Sequence, residues 1–354
     1  MDALARAPAA ERAAIFEETA ARRNVTGPII EKDFWVCWTL RRLFSLQDPA
    51  VGFIFKGGTS LSKGYGLIER FSEDVDLSLD RHDLGFVDDR DPGSDAVGGK
   101  KRKTLLKELE AATVAYVGGP LLDRLDGAFR DALGHDAFEL AVDERDAQTL
   151  LFGFPAGLPA ASYGGWGTSY GADWGGGYLR PSVKLEFGSR SDHLPAEDRA
   201  VIPYAAETFP EALPDAETTV RVLAAERTFW EKATILHQLA HRPADKTLFD
   251  RTSRHYADLA ALARSDLRAR ALARPDLLIA VAEHKSRLFR DPKAQYEQAR
   301  PGTLVLTPPG PLRAQLATDY RAMQEMFFGD PVPFEAMMEE IAGLQAEING
   351  THDV

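Results

Sequence analysis

Between Phe53 and Leu79 the chain reads FIFKGGTSLSKGYGLIERFSEDVDLSL, a stretch whose polar residues are of types that hold phosphate and metal. An apolar run, Phe53 to Phe55, feeds Gly57 and Gly58, then Thr59 and Ser60, a short helix-compatible segment, and finally Asp74-Val75-Asp76. Glycines reach positive φ and let the backbone approach a ligand closely. Thr59 and Ser60 fall where a helix N-cap is expected, with the next amides open to an anion. Residues two apart in a strand share a face, so Asp74 and Asp76 point one way while Val75 and Leu77 enter the core. Two hard oxygen ligands side by side suit Mg²⁺, whose shell substrate phosphates complete.

Three further groups extend this constellation. RPSVKLEF, residues 180–187, alternates with period two, with Val183, Leu185 and Phe187 on one face and Lys184 and Glu186 on the other. Glu186 is a candidate third carboxylate and Lys184 a phosphate partner; a cross-strand ion pair is the plain structural alternative. In RTFWEK, residues 227–232, Thr228 and Lys232 share a helix face, so Lys232 is either a point charge for a triphosphate or an ordinary surface lysine. Near the next helix start stand Arg251, Arg254, His255 and Asp258. Asp258 there is an ion-pair partner of Arg254, a support for Lys232, or a general base. Lys56, Lys63, Arg70 and the run Lys100-Lys101-Arg102-Lys103 add positive charge.

Other chemistries fail on spacing. GGTSLSK lacks the G-x4-G-K-[ST] order of a P-loop. His237 and His241 are four apart, yet no H-E-x-x-H occurs, and no G-x-S-x-G elbow is present.

The elements that must position these residues follow from periodicity. Helices are expected over 11–22, 30–46 and, with an interruption near Gly118-Gly119-Pro120, 104–133. Strands are expected over 52–55, 74–79, 138–143, 150–154 and 180–187, with a surface loop over 80–103. The segment 155–178 is dense in glycine and aromatics; it reads as a connecting hairpin, or as a loop whose Trp166 or Tyr170 stacks on a nucleobase. A polar, proline-punctuated linker follows residue 195, and from about Ala216 the pattern is helical: 216–241, 252–264, 266–288, 311–328 and 334–349. The expected fold class is α+β, with a mixed sheet flanked by helices in residues 1–195 and an all-helical domain in 196–354.

Composition bounds the function. A chain of 354 residues is long enough for two cores. Its single cysteine, Cys37, excludes a disulfide framework or thiolate metal site. Neither a signal-peptide core nor an apolar run near the roughly 20 residues of a membrane span is present, so a cytoplasmic protein is expected. The net charge of −12 argues against a general nucleic-acid coat, which needs a basic footprint, but leaves room for a local one.

GGTSLSKGYGLIERFSEDVDL resembles the signature of the AbiEii/AbiGii nucleotidyltransferase toxin family, within the DNA polymerase β-like nucleotidyltransferase superfamily. EKDFWVCWTLRRLF (31–44) resembles that family's preceding helix, VKLEF its third-carboxylate strand, and RTFWEK and RHYADL its downstream helical motifs. The resemblance implies a nucleotidyltransferase core and a helical C-terminal domain, with a cleft for a nucleoside triphosphate (NTP) and Mg²⁺ or Mn²⁺. It implies that Gly58 and Ser60 hold the triphosphate and that Asp74 and Asp76 bind metal, and it matches Lys184 with Glu186, Lys232 and Asp258 to the later motifs. Taken with the reading of the residues above, the expected nucleotide-binding residues are Gly57, Gly58, Thr59, Ser60, Lys63 and Lys184, the metal ligands Asp74, Asp76 and Glu186, and the catalytic residues Asp74, Asp76, Glu186, Lys232 and Asp258. It also implies an antitoxin partner, an RNA acceptor, most simply a tRNA 3′ end, and a role in a toxin–antitoxin or phage-defence system. An NTP-binding regulator without transferase activity, and a transferase acting on a protein or small-molecule hydroxyl, are the alternatives.

Overall fold

The computed structural model describes residues 1–46, 50–135, 137–163, 180–243 and 246–350. Trp166 and Tyr170, the candidate stacking aromatics, lie outside the described residues. The chain divides into two compact units, neither of them contiguous in sequence. The first comprises residues 1–64, 71–87 and 107–222, and the second 65–70, 88–106 and 223–354.

The first unit is built on a seven-stranded mixed sheet. Its strands are β1 (Phe53–Lys56), β2 (Asp74–Leu79), β3 (Glu139–Asp143), β4 (Asp146–Gly153), β5 (Ser182–Gly188), β6 (Ala196–Val201) and β7 (Thr218–Leu223), in the order β3-β4-β5-β2-β1-β7-β6. β1 runs antiparallel to β2, while β2 lies parallel to β5 and β1 parallel to β7. The fold class is therefore the α+β arrangement expected, but two strands were not. AEDRAV in β6 looks polar enough for a linker, and TTVRVL in β7 runs directly into a helical motif. β7 nonetheless has strand periodicity, with Thr218, Val220 and Val222 buried and Thr219 and Arg221 exposed. These strands lie beyond residue 195, where the expected domain boundary stood, and carry the sheet-bearing unit to residue 222.

Ahead of the sheet come α1 (Asp2–Arg6), α2 (Ala9–Arg23) and α3 (Gly27–Phe44). Pro28 sits in the first turn of α3 and starts the helix, because a missing N–H costs nothing there. α3 is buried on nearly every face, as its sequence demands. Its Trp35 and Trp38 pack with Phe129, Phe152 and Phe154, ring centroids 4.6–6.3 Å apart, as the centre of this core. Glu31, fully buried on α3, accepts the amides of Gly157 and Leu158 and the hydroxyl of Tyr163, at 2.6, 3.1 and 2.6 Å. The loop after β4 is thus strapped to the helix by one carboxylate.

The turn α4 (Gly57–Thr59) continues into a wide π-type turn over Ser60–Gly64. The long helix expected over 104–133 is α5 (Gly99–Tyr116), a π-turn at Val117–Leu121 and α6 (Leu122–Leu133); α7 (Tyr204–Thr208) precedes β7. The basic run begins α5 rather than lying in a loop.

In the second unit the described elements from Ala225 onward are helical. They include α8 (Ala225–Ala240), α9 (Ser253–Ala263), α10 (Leu267–Leu272), α11 (Pro275–Leu288), α12 (Gly310–Ala322) and α13 (Phe334–Gly350). The helix expected over 266–288 is divided at Pro275, which opens α11 at a position where no N–H is needed. Segment 65–70 joins this unit through the Arg70–Phe327 bridge and the Phe328 N–H donated to Glu69.

Candidate active site

β2 and β5 bring the expected acidic residues together. Their parallel register pairs Asp74 with Lys184 and Asp76 with Glu186, while Val75, Leu77, Val183 and Leu185 are buried on the opposite face. Both strands alternate, so this juxtaposition is the direct product of period-two sequences placed side by side. The Asp74 carboxyl is pushed up to about 7, first by burial and then by the charges of Glu73, Glu186 and Asp76, with Lys184 opposing them. Lys184 bonds to the Glu186 carboxylate; burial works against its charge, but Glu186 and Asp74 leave its pKa raised. Glu73, which the sequence motif passes over, ion-pairs with buried Lys32 of α3.

Gly57 brings the turn after β1 against the same carboxylates. Its φ is +78°, and a Cβ there would lie 2.0 Å from Oδ2 of Asp76. Only glycine meets both conditions at once. The hydroxyls of Thr59 and Ser60, expected at a phosphate, are buried and turned inward. Thr59 donates to the Asp74 carbonyl and contacts Ser72, and Ser60 donates to the Gly57 carbonyl at 2.9 Å. The segment winds helically from Gly57, so Thr59 ties the turn to β2 and Ser60 closes the turn on itself, and Gly57 and Gly58 present backbone rather than side chains. Lys63 also departs from expectation. Its ammonium is buried, 2.8 Å from Asp33 and 3.7 Å from the ring centre of Tyr204, in a structural ion pair.

Whether this set suits a divalent cation is decided by its donors. Asp74, Asp76 and Glu186 are hard oxygen donors on neighbouring strands, and the Asp74 carboxyl is raised first by burial and then by neighbouring carboxylates, whose repulsion a cation would relieve. No group of three or more Asp, Glu, His or Cys side chains among the described residues is already arranged as a metal cluster. Glu186 is ion-paired with Lys184, beside Asp74 and Asp76 in the β2–β5 register. The donor chemistry fits Mg²⁺, which takes few protein carboxylates and fills its shell with water and substrate oxygens.

The second unit holds a separate charged cluster. Asp258 of α9 is buried and accepts from Arg70 in a fork, Nε to Oδ1 at 2.7 Å and Nη2 to Oδ2 at 2.9 Å. Lys232 of α8 donates to Oδ2 at 2.7 Å. Burial would raise the Asp258 carboxyl, but Arg70 and Lys232 hold it well below the usual carboxylate range. Burial lowers Lys232 more than Asp258 restores it, with Arg70 and Arg254 pushing the same way. Asp258 is thus tied to both Arg70 and Lys232. The expected Arg254–Asp258 pair is replaced by Arg70, 188 residues from Asp258 in the chain. The local helical spacing gave no sign of that partner.

A family model, described as nucleotidyl transferase AbiEii toxin of a type IV toxin–antitoxin system, matches residues 38–340. The chain belongs to the AbiEii nucleotidyltransferase toxin family. Among solved structures this AbiEii chain is similar to MenT4, a nucleotidyltransferase toxin from Mycobacterium tuberculosis H37Rv. The identity is 20%, the TM-score 0.53, and the alignment covers 96% of this chain and 89% of that one. At that identity the likeness concerns the fold. No protein of curated function matches by sequence. AbiEii membership makes the chain a nucleotidyltransferase toxin with an antitoxin partner. No helix among the described residues is long and apolar enough to cross a membrane.

Proposed function

We propose that this AbiEii toxin transfers the nucleoside monophosphate of an NTP to the 3′-hydroxyl of an RNA, most simply a tRNA, in the cytoplasm, using Mg²⁺ or Mn²⁺. The observation that carries the reading is the β2–β5 register, which gathers Asp74, Asp76, Lys184 and Glu186 at one place beside the turn at Gly57. Asp74 and Asp76, with Glu186 once Lys184 moves, would hold the metal. Bound there, a divalent cation supplies charge neutralisation to the phosphates of the NTP. Lys184, freed from Glu186, binds a phosphate oxygen as a point charge. The turn at Gly57 and Gly58 offers backbone to the nucleotide, tied to β2 by Thr59 and closed on itself by Ser60. Lys232 of the second unit is the further catalytic ammonium, and Asp258, pinned by Arg70, orients it without taking a proton. The acceptor 3′-oxygen attacks the α-phosphorus, the bond to the β-phosphate bridging oxygen breaks, and the hydroxyl proton passes to solvent.

Incubation with each labelled NTP, Mg²⁺ and total RNA tests the reading. Label should enter RNA and be lost with Asp74→Asn; a folded protein that transfers no label from any nucleotide defeats it. Label appearing only in protein would assign a different acceptor.

A further inference from the structure

The second unit carries a hollow of about 510 Å³ that the proposed chemistry leaves unused. Arg242, Lys246, Arg251, Arg254 and Lys293 line it, against two carboxylates, Asp250 and Asp291. One of those carboxylates is already engaged, since Asp291 accepts from Gln238 at 3.3 Å and from the Lys293 backbone N–H at 2.9 Å. Among the described residues no carboxylate pairs with the side chains of Lys246, Arg254 or Lys293. Arg254 also presses on its neighbours: His255 is held well below the ordinary histidine range first by burial, then by the charges of Lys232 and Arg254. Phe249 stands at the rim, 77% exposed, with the Arg242 guanidinium 5.3 Å from its ring centre.

An exposed aromatic ring beside lysine and arginine side chains that pair with no carboxylate among the described residues is the composition of a site for single-stranded nucleic acid, where bases stack and phosphates meet ammonium and guanidinium groups. The volume falls among small-ligand pockets, about 300–1,000 Å³, and admits nucleotides of a strand end rather than a duplex. The chain as a whole carries −12, so a polyanion needs such a local reversal of sign to be held at all. The basic run at the start of α5 is a weaker candidate. Lys101 there is paired with Asp89 at 2.7 Å, and Arg102 donates to the carbonyls of Pro92 and Ser94, both at 2.8 Å.

We propose that the hollow bounded by Arg242, Phe249, Arg254 and Lys293 is the docking site for the single-stranded 3′ end of the acceptor RNA. Phe249 stacks on a base, and Lys246, Arg254 and Lys293 take backbone phosphates. The inference rests on the RNA-acceptor reading above and adds where that strand is held.

The test uses the full chain with a short fluorescent single-stranded RNA followed by anisotropy over a salt series, and NTP binding followed separately by calorimetry. Lys246 and Lys293 are exposed, so the double variant Lys246→Ala/Lys293→Ala keeps the fold, checked by its melting temperature. It should bind RNA at least about tenfold more weakly at physiological salt and lower the slope of log affinity against log salt by roughly 1.4, the value for two lost phosphate contacts. Phe249→Ala should weaken RNA by about fivefold to a hundredfold through lost stacking, with little change in salt slope. Affinity for NTP should stay the same in both. RNA binding unchanged in both variants overturns the proposal, as does a wild-type protein that binds no RNA. A loss of NTP affinity with RNA affinity intact makes the hollow a triphosphate site and also overturns it. Since binding is read without turnover, RNA binding that depends on these residues in a protein unable to transfer label would sink the transferase reading alone.

Discussion

Gly57 and Asp76 approach so closely that a single methyl group on the glycine would fall 2.0 Å from the aspartate Oδ2. The turn after β1 and the second carboxylate of β2 therefore occupy complementary space, and any side chain on the glycine must displace the aspartate. Gly57→Ala should cost about 1–2 kcal/mol from the left-handed backbone alone, and should lower label transfer at least about tenfold because Asp76 must swing away. Urea denaturation and the transfer assay measure the two effects. The stability cost should shrink in an Asp76→Ala background; an equal cost in both backgrounds would show that the side chains do not collide.

Arg70 and Asp258 form a buried fork, so removing one partner leaves an uncompensated charge. Arg70→Ala should destabilise the second unit by about 3–5 kcal/mol. Arg70→Lys should recover only part of this, because an ammonium cannot make the two parallel bonds. Denaturation of the three proteins decides the matter, and an Arg70→Ala variant as stable as wild type would contradict it.

Asp74 gives a pH dependence of defined sign. Its carboxyl moves from the usual 3.8 up to about 7 in the folded chain, so the folded state holds a proton that the unfolded state releases. In EDTA, this contribution to stability is complete below about pH 4 and is lost as the pH rises through about 7. Asp74→Asn should remove that part of the slope. Saturating Mg²⁺ should raise stability most at the alkaline end, because metal and proton compete for the same oxygens. Urea midpoints with and without Mg²⁺ provide the measurement, and identical profiles for wild type and Asp74→Asn would refute it.

Lys63 separates a structural role from a nucleotide-binding one. With its ammonium buried against Asp33 and Tyr204, Lys63→Met should cost about 3–5 kcal/mol while NTP affinity of the folded protein stays unchanged. Normal stability with lost NTP binding would return the lysine to the nucleotide.

The sequence carried what is local. Period-two alternation in DVDLSL and SVKLEF fixed which face each carboxylate takes, and the glycine pair after an apolar run marked the turn that Gly57 makes. What it could not carry is direction and distance. Thr59, Ser60 and Lys63 lie beside the turn in sequence, but the winding of residues 57–64 aims their side chains into the unit, away from where a phosphate was expected. Arg70 was legible as a nearby cation only, because its carboxylate lies 188 residues ahead and no helical or strand period spans such a gap. β7 was hidden for another reason: a six-residue strand adjoins a strong helical motif, and the longer pattern dominated the shorter.

The position of β7 next to β1 has a consequence for synthesis. The partner of β1 on one edge, β2, follows within about twenty residues, but its partner on the other edge, Thr218–Leu223, comes only about 160 residues later. A nascent or truncated chain ending before Thr218 would possess Gly57, Asp74, Asp76 and Glu186 and yet expose the hydrogen-bonding edge of β1, a template for aggregation. Lys232 and Asp258 follow only after that edge is covered. A chain cut short between β2 and β7 would thus hold the β2 carboxylates on a sheet with one open edge, so a loss of solubility in truncations ending before Thr218, recovered once Leu223 is included, is the expected sign of that edge.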